Sequence, residues 1–224
     1  MGQVIRTSIG FIGWPELDQN LWQSATTKGD FLSPDGRAAQ WVLETKLQVE
    51  KGYGKWVYYL TLASALPSEE SASPFDRATK DRLRAYVDLL TNQGLASQTI
   101  ASRLTDLCEA LRVMCPSCDL TVIKHLVSVL NMRATPSRNK AARIKHPFEI
   151  WGAACKAMDD AHTTDELTPL HRSCAYRDAL ALGLLALRPI RLKNLTQLTL
   201  SEQLRFDGSQ WQCSFSGCET KDKQ

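Results

Sequence analysis

The chain has 224 residues, 43% of them hydrophobic and 23% charged. That is enough apolar side chain to bury a core, and it excludes disordered and collagen-like architectures. The 27 Lys and Arg against 24 Asp and Glu leave a net charge of +3, which says little about partners until it is divided along the chain. No stretch approaches the ~18–20 uninterrupted apolar residues of a membrane helix. The opening MGQVIRTSIGFIGWPELD reaches Pro15, Glu16 and Asp18 before a signal-peptide core develops. Seven irregularly spaced cysteines fit reduced thiols better than a disulfide framework, so a soluble, cytoplasmic protein is expected.

Residues 1–35 show no clean period and are expected to form an irregular arm. From Pro34 to Leu66, PDGRAAQWVLETKLQVEKGYGKWVYYLTLASAL reads as one or two helices carrying Trp41, Leu47, Trp56, Val57 and Leu60. The following PSEESASP is a linker by composition. Leu83, Tyr86, Val87 and Leu90 then recur at helical spacing, with Asn92-Gln93-Gly94 as a stop signal. A second stripe, Ile100, Leu104, Leu107, Leu111 and Met114, has Ser97 as its expected N-cap and Pro116 limiting its extension. In a third, Asp119 caps a helix whose apolar face is Ile123, Leu126, Val127 and Leu130. Three short amphipathic helices need one another to hide their stripes, so a compact helical domain is expected.

Downstream, FEIWGAACKAM and LTPLHRSCAYRDALALGLLALRPIRLKNL are strongly helical. The second brings Tyr176, Leu180, Leu184 and Leu187 onto one side before Pro189 ends it. Leu204 and Phe206 precede an Asp207-Gly208 turn, and Trp211, Cys213 and Phe215 alternate after it, the pattern of a β-hairpin. The chain then runs into CETKDKQ with no element to cover that hairpin, and the ending reads as premature.

Charge is unevenly spread over these segments. Residues 1–74 hold 6 Lys and Arg against 8 Asp and Glu, residues 75–145 hold 12 against 6, and residues 146–224 hold 9 against 10. The nets are −2, +6 and −1. The densest run is NMRATPSRNKAARIK, where Arg133, Arg138, Lys140, Arg143 and Lys145 meet no acid. A solvated helix face is the bland account of such a run. Its position after three helices and before a new apolar segment suits a basic hinge able to neutralise phosphates.

Other constellations carry less. Cys115-Pro-Ser-Cys118 is a C-x-x-C with no second pair, and it follows a helix instead of opening one after a strand, so a thioredoxin-like or zinc reading lacks support. His125, His146, His162 and His171 form no metal or catalytic pattern. Glycine-rich phosphate loops, G-x-S-x-G and H-E-x-x-H are absent. Asp159-Asp160 and Asp165-Glu166 read as helix-end charges.

The order of arm, helical domain, basic linker and a helical segment turning into a small sheet resembles the amino-terminal portion of a tyrosine recombinase of the phage-integrase type. The segment YRDALALGLLALRPIRLKNLTQLTL is similar to the family's first catalytic box, with Arg191 in the place of the first catalytic arginine and Pro189 in that of the usual glycine. Lys221, with Lys223 as runner-up, takes the place of the family's hairpin lysine. Asn194 departs from the acidic residue that many members carry three positions after the arginine. The likeness covers residues from about 75 to 224, and YGKWVYYL at 53–60 resembles the arm region of some bacterial members.

The resemblance implies a mainly α chain, with a helical core-binding (SAM-like) domain followed by the incomplete α+β start of a recombinase catalytic domain. The expected segments are an arm with amino-terminal helices (1–74), the DNA-binding domain with its linker (75–145) and a partial catalytic domain (146–224). A guanidinium at Arg191 would stabilise the charge growing on a scissile phosphate, and a lysine at Lys221 would protonate the leaving oxygen. The second box, His-x-x-Arg, and the late nucleophilic tyrosine do not follow Lys221. Tyr53, Tyr58, Tyr59, Tyr86 and Tyr176 all precede the first box, so the chain alone is expected to be inactive in strand exchange. Lys80, Arg82, Arg84, Arg103, Arg138, Lys140, Arg143 and Lys145 are the candidate phosphate contacts. The expected partners are double-stranded DNA and other recombinase protomers, with no membrane, nucleotide, metal or cofactor. Two other readings stand beside this one: a noncatalytic module that binds DNA or a recombinase and regulates it, and a helical interaction protein unrelated to DNA.

Overall fold

In the computed structural model, which describes residues 8–63, 72–136, 141–163 and 168–215, helices form wherever the apolar period is sustained. They are α1 (Glu16–Thr26), α2 (Leu43–Leu62), α3 (Lys80–Asn92), α4 (Ser97–Met114), α5 (Thr121–Arg133), α6 (Pro147–Thr163), α7 (Pro169–Leu187) and α8 (Leu192–Thr196). One hairpin, β1 (Leu204–Phe206) with β2 (Trp211–Cys213), is the only sheet among the described residues. The chain is mainly helical. It divides into two compact units, Met1–Asn139 and Lys140–Gln224. No helix among the described residues is long and apolar enough to cross a membrane.

The first unit is built round α4. All five residues of its expected stripe are buried, and so are Ala101, Cys108, Ala110 and Val113, so α4 hides more than one face. It packs against α1, α2, α3 and α5 in turn. Helix α3 buries Leu83, Tyr86 and Leu90. It ends at Gly94, whose φ of 71° lets Leu95 N–H return to the Leu90 carbonyl at 3.2 Å. The N-cap of α5 is Leu120, not the expected Asp119; Asp119 stands one residue earlier and ties the start of the helix by accepting from Thr121 N–H at 2.9 Å and Thr121 Oγ1 at 2.6 Å. Ser97 departs from expectation: it is the first helical residue, and its Oγ accepts from Thr135 N–H at 3.0 Å instead of capping its own helix.

The larger departure is at the amino terminus. Residues 16–26, expected to be irregular, form α1 and bury Asp18, Trp22 and Ala25, a spacing of i, i+4 and i+7 with a charge standing in the apolar stripe. Trp14 lies 4.6 Å from the Tyr53 ring, centroid to centroid, and 6.0 Å from Trp22. The compact unit therefore runs through residue 74 instead of stopping there. Among the residues named for α2, Trp56, Val57 and Leu60 are buried, whereas Leu47 is 52% exposed.

Asp18 is fully enclosed and so is Arg77, 59 residues later, which pairs with its Oδ1. Tyr53 donates to Asp18 Oδ2 at 2.6 Å, and Arg77 Nη1 donates to the Ala72 carbonyl at 2.6 Å. Burial pushes the Asp18 carboxyl up against the opposing pull of Tyr53 and Arg77. Burial, then the Asp18 charge, holds the Tyr53 phenol well above its ordinary value.

The second unit is stitched differently. Helices α6 and α7 meet through Ala154, Ala161, Ala179 and Gly183, all buried, and a Cβ on Gly183 would stand 3.1 Å from the Trp151 ring. The expected stripe of α7 is not its buried face: Tyr176, Leu180 and Leu187 are all partly or largely exposed. In the hairpin Leu204 pairs with Cys213 and Phe206 with Trp211. The turn spans residues 207–210, with Asp207 N–H on the Gln210 carbonyl at 3.1 Å.

Removing one partner of an enclosed ion pair strands the other charge. Arg77→Met or Asp18→Leu alone should therefore cost about 3–5 kcal/mol. The double variant should cost less than the two singles together. Urea unfolding of the three variants measures this, and strict additivity would refute the coupling.

Candidate nucleic-acid interface

Seven of the ten expected site residues lie within the described residues; Arg138, Lys140 and Lys221 lie outside them. Lys80 and Arg84 are exposed one turn apart at the start of α3. They line a groove of about 240 Å³ between α3 and α5, with His125 and an apolar floor of Leu83, Val87, Val122, Leu126 and Val129. No carboxylate lines that groove. Thr79 Oγ1 accepts from Arg82 N–H at 3.4 Å at the end of α3 where unpaired amides already give a partial positive charge. Two exposed cations placed there work against the helix dipole, and exposed Asp81 in the same turn offsets part of their charge.

Arg82 turns inward instead. It is half-buried, and its Nη1 reaches toward the Arg77 carbonyl at 3.5 Å while its own carbonyl takes the Tyr59 hydroxyl at 3.4 Å. Arg103, on α4, lies outside the α3–α5 groove. It is half-buried with an enclosed Nε, and its guanidinium bonds the Tyr86 hydroxyl. Burial nonetheless raises the Tyr86 phenol, with Arg103 as the largest opposing influence.

In the second unit Arg143 is exposed in a single 3-10 turn, Ala141–Arg143. Lys145 is exposed and stands 3.9 Å from Glu149, a loose surface pair of little energetic weight. Arg191 is exposed at the N-cap of α8, where its carbonyl accepts from Leu195 N–H at 2.9 Å. Asn194, one turn on, is buried. The hairpin turn is tied by Asp207: Oδ1 accepts from Ser209 N–H and Gln210 N–H, both at 2.9 Å, and Oδ2 from Gln212 Nε2 at 2.7 Å. These bonds, led by the Gln210 and Ser209 amides, hold its carboxyl at about 2.

Cys115 is buried and Cys118 half-buried, and the Cys118 N–H bonds the Cys115 carbonyl at 3.1 Å. Burial raises the Cys115 thiol to about 11. That is the opposite of an activated thiolate. Among the described residues no group of three or more His, Cys, Asp or Glu is placed to hold a metal ion. Sequence reasoning missed His125 as a wall of the groove, because a lone histidine on a helix carries no signal until a neighbouring helix is known to face it.

No protein-family model, curated protein or solved structure matches the chain.

Two measurements follow from these environments. At pH 7.5 iodoacetamide should label exposed Cys213 well before Cys108 and Cys115, and peptide mapping by mass spectrometry gives the order; early labelling of Cys115 would contradict its burial. The Ser209 and Gln210 amide resonances should titrate with Asp207. Its folded value lies below the ordinary 3.8, so its support for the turn is present above pH ~4 and is lost as pH falls through about 2. A midpoint near 4 would show that the turn is not held this way.

Proposed function

We propose that this chain is a DNA-binding portion of a site-specific recombinase of the tyrosine, phage-integrase type. On this reading the five-helix unit is its core-binding, SAM-like domain, and residues after about 146 begin its catalytic domain. The observation that carries the DNA reading is the α3–α5 groove, rimmed by Lys80, Arg84 and His125 and free of carboxylates in its lining. It lies in the part of the sequence with a net charge of +6. Phosphates would meet the rim, and the apolar floor suits base edges such as the thymine methyl.

Chemistry within these 224 residues is a separate matter. A nucleophilic phenol needs its proton loosened, yet burial raises Tyr53, Tyr59 and Tyr86. The chain by itself is read as a binder that does not cleave, with Arg191 and Lys221 as its recombinase-type catalytic candidates. The alternative of a regulatory module that docks on a recombinase draws on the second unit. There a groove of about 590 Å³ is lined by Leu180, Leu184, Leu195, Leu198, Leu200 and Leu204 among others.

Fluorescence anisotropy with a 30-base-pair duplex over a salt series tests the proposal. Affinity should fall steeply with salt, with a log–log slope of about −0.9 for each phosphate neutralised. Lys80→Glu with Arg84→Glu should weaken binding by roughly tenfold or more at low salt and flatten that slope by about 2. A flat salt response in the unaltered protein would remove the DNA reading.

A further inference from the structure

A second cationic surface lies on the first unit, at the seam of α2 and α4. Gln48, Lys51, Gly52 and Lys55 follow one another at i, i+3, i+4 and i+7 along α2, so they share a face. That face is pinned to α4 at Asp106. Gln48 Nε2 donates to Asp106 Oδ1 at 3.0 Å, and Gly52 is pressed so close that any side chain there would collide with the Asp106 carboxyl. Arg103 precedes Asp106 by one turn on α4. One turn further along α2 the seam closes on aromatic rings: Tyr59 and Trp56 pack against Tyr86 at 4.9 Å and 5.3 Å, and Tyr86 in turn bonds Arg103.

The register thus sets Lys55 beside the Asp106 carboxylate, with Arg103 one turn away on α4 and Lys51 one turn away on α2. Lys51 is exposed and Lys55 half-buried. Burial draws the Lys55 ammonium down first, and the repulsion of Arg103 counts for more there than the attraction of Asp106. Lys55 thus meets Arg103 across the seam and Lys51 on its own helix, and an anion between these cations relieves the repulsion.

We propose that Lys51, Lys55 and Arg103 form a phosphate-binding site, and that its ligand is the backbone of duplex DNA. This rests on the DNA reading above and adds a contact surface from α2. Arg103, with its Nε enclosed and its guanidinium held by Tyr86, is the pre-oriented member, and the two lysines close on the phosphate from the neighbouring helix.

The test uses the full chain, the 30-base-pair duplex of the salt series and the double variant Lys51→Gln with Lys55→Gln. Both side chains reach solvent and neither is needed in the core, so the variant should melt no lower than the parent. Its duplex affinity at low salt should drop roughly tenfold, and the log–log salt slope should shrink by about 2. Duplex binding in the parent with unchanged affinity and slope in the variant would overturn this site and leave the α3–α5 reading standing. No duplex binding by the parent would overturn both. Inorganic phosphate, added at constant ionic strength and followed on the lysine ammonium resonances, separates the two sources of the ligand. If it shifts Lys55 while the variant binds duplex normally, the site takes a free anion and the DNA assignment fails.

Discussion

Asp18 and Arg77 are far apart in sequence and both are fully enclosed, so neither charge can leave water until the other has arrived. A lone buried carboxylate or guanidinium costs several kcal/mol in desolvation, which an apolar stripe as short as that of α1 cannot offset. The two groups bring α1 to the segment that leads into α3, and Tyr53, donating to the same carboxylate from α2, locks a third piece to the first two. The amino-terminal helices therefore belong to the same body as α3–α5 for an electrostatic reason as well as an apolar one. Tyr53 packs against Trp14, and Trp14 against Trp22, while the pair itself is fully enclosed, so water does not compete for it.

That network also explains what could and could not be read in the sequence. Helices α3, α4 and α5 were legible because each carries an apolar stripe long enough to read, even though α4 also buries Asp106, and because recognisable chemistry stands near their ends at Gly94 and Asp119. Helix α1 was not, because its buried face includes Asp18. A period search scores a carboxylate as solvent-facing, and only knowledge of Arg77 reverses that assignment. In α7 the period was visible but its sense was wrong. Tyr176, Leu180 and Leu187 form the conspicuous stripe, whereas the contact with α6 uses Ala179 and Gly183, since small residues let two helices approach closely. The candidate site divides the same way. Lys80 and Arg84 were legible as candidate phosphate contacts, but the groove they rim depends on α5, and the placing of Lys55 against Arg103 depends on the register of α2 against α4.

The two units hide apolar surface to different degrees. In the first, large side chains such as Trp56, Tyr53 and Leu104 are fully enclosed by neighbouring helices. In the second, the α6–α7 contact rests on small side chains, and Leu182, Leu187, Leu192, Leu200, Phe206 and Trp211 remain more than half exposed. Apolar side chains this exposed gain free energy when covered. The short hairpin gains little from its own three-residue strands and leans on the Asp207 turn for its order.

Whether a basic side chain is architectural or available to a ligand turns on compensation. Arg77 is matched by Asp18, and Arg112 is matched by Glu109 at 2.7 Å and lies over the Trp41 ring at 5.8 Å. These charges are already spent within the fold. Lys80 and Arg84 rim a groove that no carboxylate lines, and Lys55 meets Arg103, Lys51 and the carboxylate of Asp106. A fold that encloses one guanidinium with its own counter-ion yet leaves Lys80 and Arg84 exposed separates charges that serve its structure from charges open to solvent. On the proposal that the chain binds duplex DNA, whose phosphates run along two strands, cations on α3 and at the α2–α4 seam would give this unit more than one place from which to meet them.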